Sequence, residues 1–470
     1  MSISIKSIFG GSNNEPPNIT NLKSIDSTSS TITISYNVED KENTIIRHYI
    51  TVKNNEETIM NHVEITEDVG INKKEFNYCI KNLKIGKSYT IQIFCSDGND
   101  ESNSEAIVSN TSSVTIFGVS VNESNSNPEN CCTYTNNAIG VSPATQTTLG
   151  GWVDKYPFNK IRIVGFKGGE VVKEIKKEDK TQYIDGTSVT QDVDVMVEIP
   201  KVYWSFAKTS TGYEVKISNI KVDSTYDCYA HKVNGIEKDY IYVGAYLGCV
   251  KENKLRSISN MPVRVNVTLN DAREYAQANG KGYQQNNWFV LILLQILYLI
   301  LYKNLDSQSA LGTGWTAFGS PCNTGGTNKK GIVFGGTQTN QICFLGVEDL
   351  YGNVYEWIDG IKVDSTYNTL ITSDNKNFTN SYKNIGKFIE STRGGKMSKS
   401  IHTNEGGFFP TETTGSNSTY YCDHSSIGSD KIARFGGHYN ENMDVGIFCI
   451  KFDYGPSGSN AQIGTRLVFL

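Results

Sequence analysis

At 470 residues the chain is too long for one ordinary core, and two or three domains are expected. Hydrophobic residues at 38% and charged residues at 20% give a globular balance and exclude wholesale disorder. A net charge of −5 supplies no field to hold DNA or an anionic lipid surface, so neither nucleic acid nor membrane is expected as a main partner.

Residues 1–15 read as a flexible leader with Gly10, Gly11, Asn13 and Asn14, and Met1–Lys6 lacks the apolar core of a signal peptide. Thr31–Tyr36 then alternates with period two, as a half-buried strand does, and so do Ile46–Val52 and Thr90–Phe94. Short strands at this spacing, without a helix signal, predict a small β-sandwich. Pro16, Pro17, Asn18 and Ile19, followed by the run Leu83–Ile93 (LKIGKSYTIQI), resemble a fibronectin type III domain over 16–117. The resemblance implies a core Leu83 and a corner Tyr89 ahead of a central strand. Tyr36 stands where that family usually has Trp.

Residues 118–190 read as a linker and a β-rich connecting region, its first part rich in Asn, Ser and Thr. Cys131 and Cys132 lie there. The ten cysteines are scattered without a CxxC pair, which leaves a zinc or thioredoxin reading unsupported; thiols suit folding in a reducing cytoplasm. Farther on, Val193–Tyr203, Tyr213–Ile217 and Tyr240–Tyr246 predict strands. A helix opens near Val267, with Thr268 or Asn270 as its cap, Ala272, Tyr275 and Ala276 on one face, and Gly280 to end it. Asn287 caps a second, Trp288–Tyr302 (WFVLILLQILYLILY). Its fifteen residues fall short of the ~20 a spanning helix needs, and Gln295 interrupts them, so a buried core helix is expected. Later strands are expected at Gly331–Phe334, Ile342–Val347, Gly446–Phe452 and Thr465–Phe469. Two helices among many strands predict an α+β head, and 361–431, rich in Ser, Thr, Asn and Gly, reads as an insertion on its binding face.

Three segments in order carry a second resemblance. They are Asp271–Ala276 (DAREYA), Asp349–Trp357 (DLYGNVYEW) and Ala433–Tyr439 (ARFGGHY), closed by Ile463–Phe469 (IGTRLVF). Together they resemble the formylglycine-generating-enzyme branch of the C-type lectin fold across roughly 190–470. The expected fold class is therefore mainly β with an α+β head: a fibronectin type III-like sandwich, then a C-type-lectin-like domain at 191–470. In that frame Gly352 permits a tight turn and Asn353 bonds nearby backbone. Trp357 enters the core while Glu356 faces polar partners. Gly436 and Gly437 let segments cross closely, and Arg434 and Arg466 clamp carbonyls or carboxylates. Asn353 and Glu356 offer two oxygens to a structural Ca2+, fewer than a hard cation takes, so no cofactor is expected.

The oxygenase members of that branch carry two cysteines soon after the RGGS motif. Here no Cys follows Gly437 until Cys449, so the resemblance implies no such enzyme. No carboxylate or Cys–His pair stands out for other catalysis, and Cys422, Asp423 and His424 read as incidental neighbours. The run from Gly446 to Leu467 instead resembles phage and retroelement-diversified binding proteins ending in GxFxxNxxxxPSxSxxxIGxRL. By position it nominates His438, Tyr439, Asn440, Asp453, Tyr454, Ser459, Asn460 and Gln462 as receptor contacts. Tyr and Asn suit such work, giving area at low entropy cost and adaptable hydrogen bonds. The expectation is a phage virion protein, a tail fibre or baseplate tip, made in the host cytoplasm and released by lysis. It would attach to a bacterial surface protein or glycan, pair with other tail or baseplate proteins, and form a homotrimer. The alternative is a structural or decoration protein of capsid or tail.

Overall fold

Ile32, Ile34, Tyr36 and Val38 occupy every second position of the strand Ile32–Glu39, and all four are buried. The computed structural model describes residues 14–27, 30–41, 46–55, 57–66, 75–111, 113–372, 382–387 and 394–470. Of the expected leader, 1–13 lie outside the described residues, whereas Asn14 donates to Asp97 at 2.7 Å. The chain divides into two units, Met1–Val114 and Thr115–Leu470.

The first unit holds two antiparallel sheets. One runs in the order Asn18–Ser27, Ile32–Glu39, Glu75–Ile80. The other runs Thr58–Ile65, Arg47–Lys53, Ser88–Ser96, Glu101–Asn103, with Ile107–Asn110 also paired to Ser88–Ser96. Their inward side chains make one core that includes Ile34, Tyr36, Ile50, Leu83, Tyr89 and Ile93. Tyr89 is fully buried, and its hydroxyl accepts from the Lys84 amide at 2.7 Å, fixing the turn before its own strand.

The second unit is also mostly strand. A four-stranded sheet runs Cys132–Asn136, Ile116–Asn122, Gly212–Ser218, Tyr203–Lys208. A six-stranded sheet runs Glu170–Ile175, Arg162–Lys167, Asp194–Pro200, Tyr240–Gly244, Leu467–Phe469, Tyr283–Gln285. Every residue of Asp194–Pro200 is buried, as a strand covered on both faces requires. The largest sheet runs Tyr382–Lys387, Asn368–Thr372, Tyr355–Val363, Lys431–Phe435, Ile450–Tyr454, His424–Ile427, Gly394–Lys396. Ile463–Gly464 joins it beside Tyr355–Val363.

Two expectations are corrected here. The first part of 118–190 is not a linker: Ile116–Asn122 lies between two partners in the four-stranded sheet, and farther on Arg162–Lys167 pairs directly with Asp194–Pro200. Phe117, Val119 and Val121 alternate along that strand and are buried, a period-two signal just ahead of the polar run that starts at Asn122. Nor is 361–431 merely an insertion on a binding face. Its described residues supply Asn368–Thr372, Tyr382–Lys387, Gly394–Lys396 and His424–Ile427 to the largest sheet, and Met397, Phe408, Phe409 and Tyr421 enter the main core.

Helix α1 (Leu269–Gln277) starts from Thr268, not Asn270. The Thr268 hydroxyl accepts from the Asp271 amide, and the Asp271 carboxylate accepts from the Thr268 amide, a reciprocal cap. Helix α2 (Trp288–Tyr302) is capped by Asn287, and all fifteen of its residues are buried. A helix apolar on every side needs partners on every side. It finds them in segments far apart in the chain: Tyr134 donates to the Ile300 carbonyl, Trp288 to that of Glu405, and Gln295 to that of Ile447. Among the described residues no helix is long and apolar enough to cross a membrane. A third helix, α3 (Ser307–Ala310), was not foreseen; its four residues are too short to show a period.

Because α2 is the common wall of these contacts, Leu297→Ala is expected to cost about 2–5 kcal/mol through lost burial and a residual cavity. Denaturant unfolding of the full chain checks this, followed by a signal of the second unit.

Candidate functional site

The strand Tyr355–Val363 is where the sequence motifs meet. It pairs antiparallel with Lys431–Phe435, Glu356 opposite Phe435 and Trp357 opposite Arg434. It pairs parallel with Ile463–Gly464, Tyr355 opposite Ile463. Segments about eighty and a hundred residues apart thus lie side by side.

Period two then sends neighbours to opposite faces. Trp357 is fully buried and donates its indole N–H to the Val267 carbonyl at 2.8 Å. Glu356, on the other face, meets Arg466, which is also fully buried. Arg466 Nε donates to Glu356 Oε1 at 2.8 Å, and Nη1 to the Gly244 carbonyl at 2.9 Å. Nη2 donates to the carbonyls of Glu348 and Asp349 at 2.9 and 2.8 Å. Asn286 donates to the second Glu356 oxygen at 2.9 Å.

The oxygens proposed for Ca2+ are therefore engaged by protein donors. Both Glu356 oxygens are taken, and Asn353 Oδ1 accepts from the Cys322 amide at 3.0 Å while its Nδ2 donates to Asp349 Oδ2 at 2.8 Å. These two residues are tied into one structural network. Among the described residues one group of possible metal ligands comes together elsewhere, Asp227, Cys228 and Glu237. Each of its acids is already held, Asp227 by Lys232 and Glu237 by Tyr203.

Gly436 and Gly437 lead out of the strand into the loop that carries the first nominated contacts. Gly436 has φ +95°, and a Cβ there would stand 3.2 Å from the Tyr351 Cα; one on Gly437 would stand 2.3 Å from Val445. Only glycine permits both the backbone angle and the crossing.

Beyond them the structure brings most nominated residues together around Arg434 and Tyr355. Arg434 lies 3.8 Å above the Tyr355 ring and 4.9 Å from that of Tyr454. Its fork binds Asp453 bidentately at 2.7 and 2.6 Å. Asn460 donates to the Tyr454 hydroxyl at 2.8 Å and accepts from the Gln462 amide at 2.9 Å. The Gln462 carbonyl accepts from the Tyr355 amide at 2.9 Å. The His438 ring lies 5.6 Å from that of Tyr355 and 5.1 Å from that of Tyr439.

This geometry divides the nominated set. His438 is only 6% exposed, and burial lowers its imidazole below the ordinary range, so it is withdrawn from the surface face. Asp453 and Asn460 spend their side chains on Arg434 and on the loop. Asn440 and Ser459 are exposed, and Tyr439, Tyr454 and Gln462 are half-buried. Sequence reasoning missed Tyr355, Glu441 and Lys451 beneath them: Tyr355 donates to Glu441 Oε2, and Lys451 to Glu441 Oε1 at 2.8 Å. The period that placed Trp357 inside also places Tyr355 on its face, which was the available signal; nothing in the sequence pairs Glu441 with Lys451.

Asp349 adds a titratable element. Burial first, and then the neighbouring Glu348 charge, lift its carboxyl to about 7. Gln341 and Asn353 donate to its Oδ2, while Oδ1 has no partner among the described residues.

No protein-family model matches the chain, and no curated protein matches it. Among solved structures it is similar to the Major Tropism Determinant U1 variant, at 14% identity over 66% of this chain and 71% of that one, with TM-score 0.27. It is also similar to the P3c variant, at 10% identity over 60% of this chain and 82% of that one, with TM-score 0.23.

Two outcomes are expected. Arg466→Met strands the buried Glu356 charge and should cost about 3–5 kcal/mol in unfolding free energy, while adding Glu356→Leu should recover part of the loss. Asp349 holds its proton more tightly folded than unfolded. Its stabilising contribution is therefore complete below about pH 4 and is lost as pH rises to about 7. Urea midpoints across pH 4–8 should fall less steeply in Asp349→Asn than in the parent.

Proposed function

We propose that this chain is a virion receptor-binding protein of a phage tail, a fibre or baseplate tip, that attaches the particle to a bacterial cell surface. The observation that carries the reading is the loop pair His438–Asp444 and Gly455–Gln462, which converge on a buried Arg434–Tyr355 support and leave Asn440 and Ser459 exposed beside half-buried Tyr439, Tyr454 and Gln462. Half-buried Tyr with exposed Asn and Ser makes a face of rigid area and adaptable hydrogen bonds, the chemistry of a recognition surface. The meeting of the Asp349–Trp357, Ala433–Tyr439 and Ile463–Phe469 segments along one strand supports a C-type-lectin-like head. The two sheets of the first unit, with buried Leu83 and the Tyr89–Lys84 bond, support a fibronectin type III-like stalk. The role is binding rather than catalysis, in a homotrimer joined to other tail proteins.

Labelled full chain is expected to bind saturably to cells of a susceptible bacterium. Asn440→Trp and Ser459→Trp, which add bulk at exposed positions, should weaken it about tenfold or more with the melting temperature unchanged. Undiminished binding by both folded variants would remove this face from the proposal.

A further inference from the structure

The loop Gly314–Ser320 carries an aromatic pair with no part in either core. The Trp315 and Phe318 rings stack at 3.8 Å between centroids and 9° between planes, and both residues are half-buried. The residues beside them, Ala317 and Gly319, have too little side chain to cover the rings. The Trp315 indole N–H donates to the Ser320 carbonyl at 3.1 Å, closing the loop on itself.

Backbone bonds fix this platform beside the nominated face. Phe318 donates to the Tyr439 carbonyl at 2.7 Å, Asn353 to that of Trp315 at 2.9 Å, and Asn442 to that of Thr316 at 3.2 Å. The platform is thus knit to the loop of Tyr439 and Asn440. Its rim is neutral: Ser320, Asn440 and Asn442 are exposed and Gln338 is half-buried. The acids of the adjoining loop are spent internally, Glu441 on Tyr355 and Lys451, and Asp444 on Lys396.

From this juxtaposition we infer that the Trp315–Phe318 platform binds a neutral saccharide of the cell surface, an inference that rests on the receptor-binding role proposed above. The C–H face of a pyranose ring is weakly positive and apolar, and it stacks on the negative face of an aromatic ring. Its equatorial hydroxyls reach outward, where neutral amides and hydroxyls both donate and accept. A nucleic acid or an acidic polymer would need unpaired cations, whereas the rim residues named above are neutral amides and hydroxyls.

The test uses labelled full chain on a panel of bacteria, each split into untreated, protease-treated and periodate-oxidised cells. Periodate cleaves vicinal diols and should abolish binding, whereas protease should leave it. Phe318→Leu, which keeps apolar bulk but removes the ring, and Trp315→Ala should each weaken binding about five- to tenfold, with melting temperature unchanged for Phe318→Leu. Binding that survives periodate but not protease overturns the saccharide inference and leaves the receptor role intact, with a protein as its ligand. Full-strength binding by Phe318→Leu overturns the platform alone. Absence of binding to every untreated cell overturns both.

Discussion

The second unit depends on one buried ion pair. Arg466 sits near the end of the chain, yet its guanidinium reaches Glu356 and the carbonyls of Gly244, Glu348 and Asp349. Desolvating both charges costs several kcal/mol, which only near-complete hydrogen bonding offsets. Asn286 completes the set from the residue before the Asn287 cap of α2. An arrangement that moved one of these segments would leave a charge or a carbonyl unpaired in the interior, so the pair selects one arrangement of all of them. In this way the six-stranded sheet, the largest sheet and the start of the core helix share a fixed point.

The same logic explains why the candidate face divides as it does. A surface that recognises a partner needs loops, and loops need something to hold them. Arg434 and Tyr355 supply this support from within the sheet, and Asp453, Asn460 and His438 are used in the attachment. What remains outward is chemically quiet: amides, hydroxyls and half-covered rings, with nearby charges already paired. Such a face gains specificity from shape and hydrogen bonding rather than from long-range attraction, in keeping with the chain's small net charge. The stacked Trp315 and Phe318 lie beside it as flat area held by the backbone.

Much of this was legible in the residues, and what was not follows a pattern. Alternation gave the strands around Ile34, Ile50 and Ile93, because period two is set by the backbone alone. Length and apolarity gave α2 as a buried helix, and capping chemistry gave its start at Asn287. Motif order marked Glu356, Trp357, Arg434 and Arg466 as special. Each of these is a local property, or a property of side-chain type.

Tertiary structure alone decided the partners. Nothing in the spacing of Glu356 and Arg466 says that they pair, or that Glu441 takes both Tyr355 and Lys451. Ile116–Asn122 found its place in the sheet because Gly212–Ser218 and Cys132–Asn136 offered it two edges. His438 left the surface because the Gly437 crossing turned its loop inward beside Tyr355, while Asn440, two residues on, stayed out. The sequence determined periods, caps and the kinds of group available for bonding. Which groups meet was decided by the folded chain, since burial makes each donor and charge find a partner wherever along the sequence that partner lies.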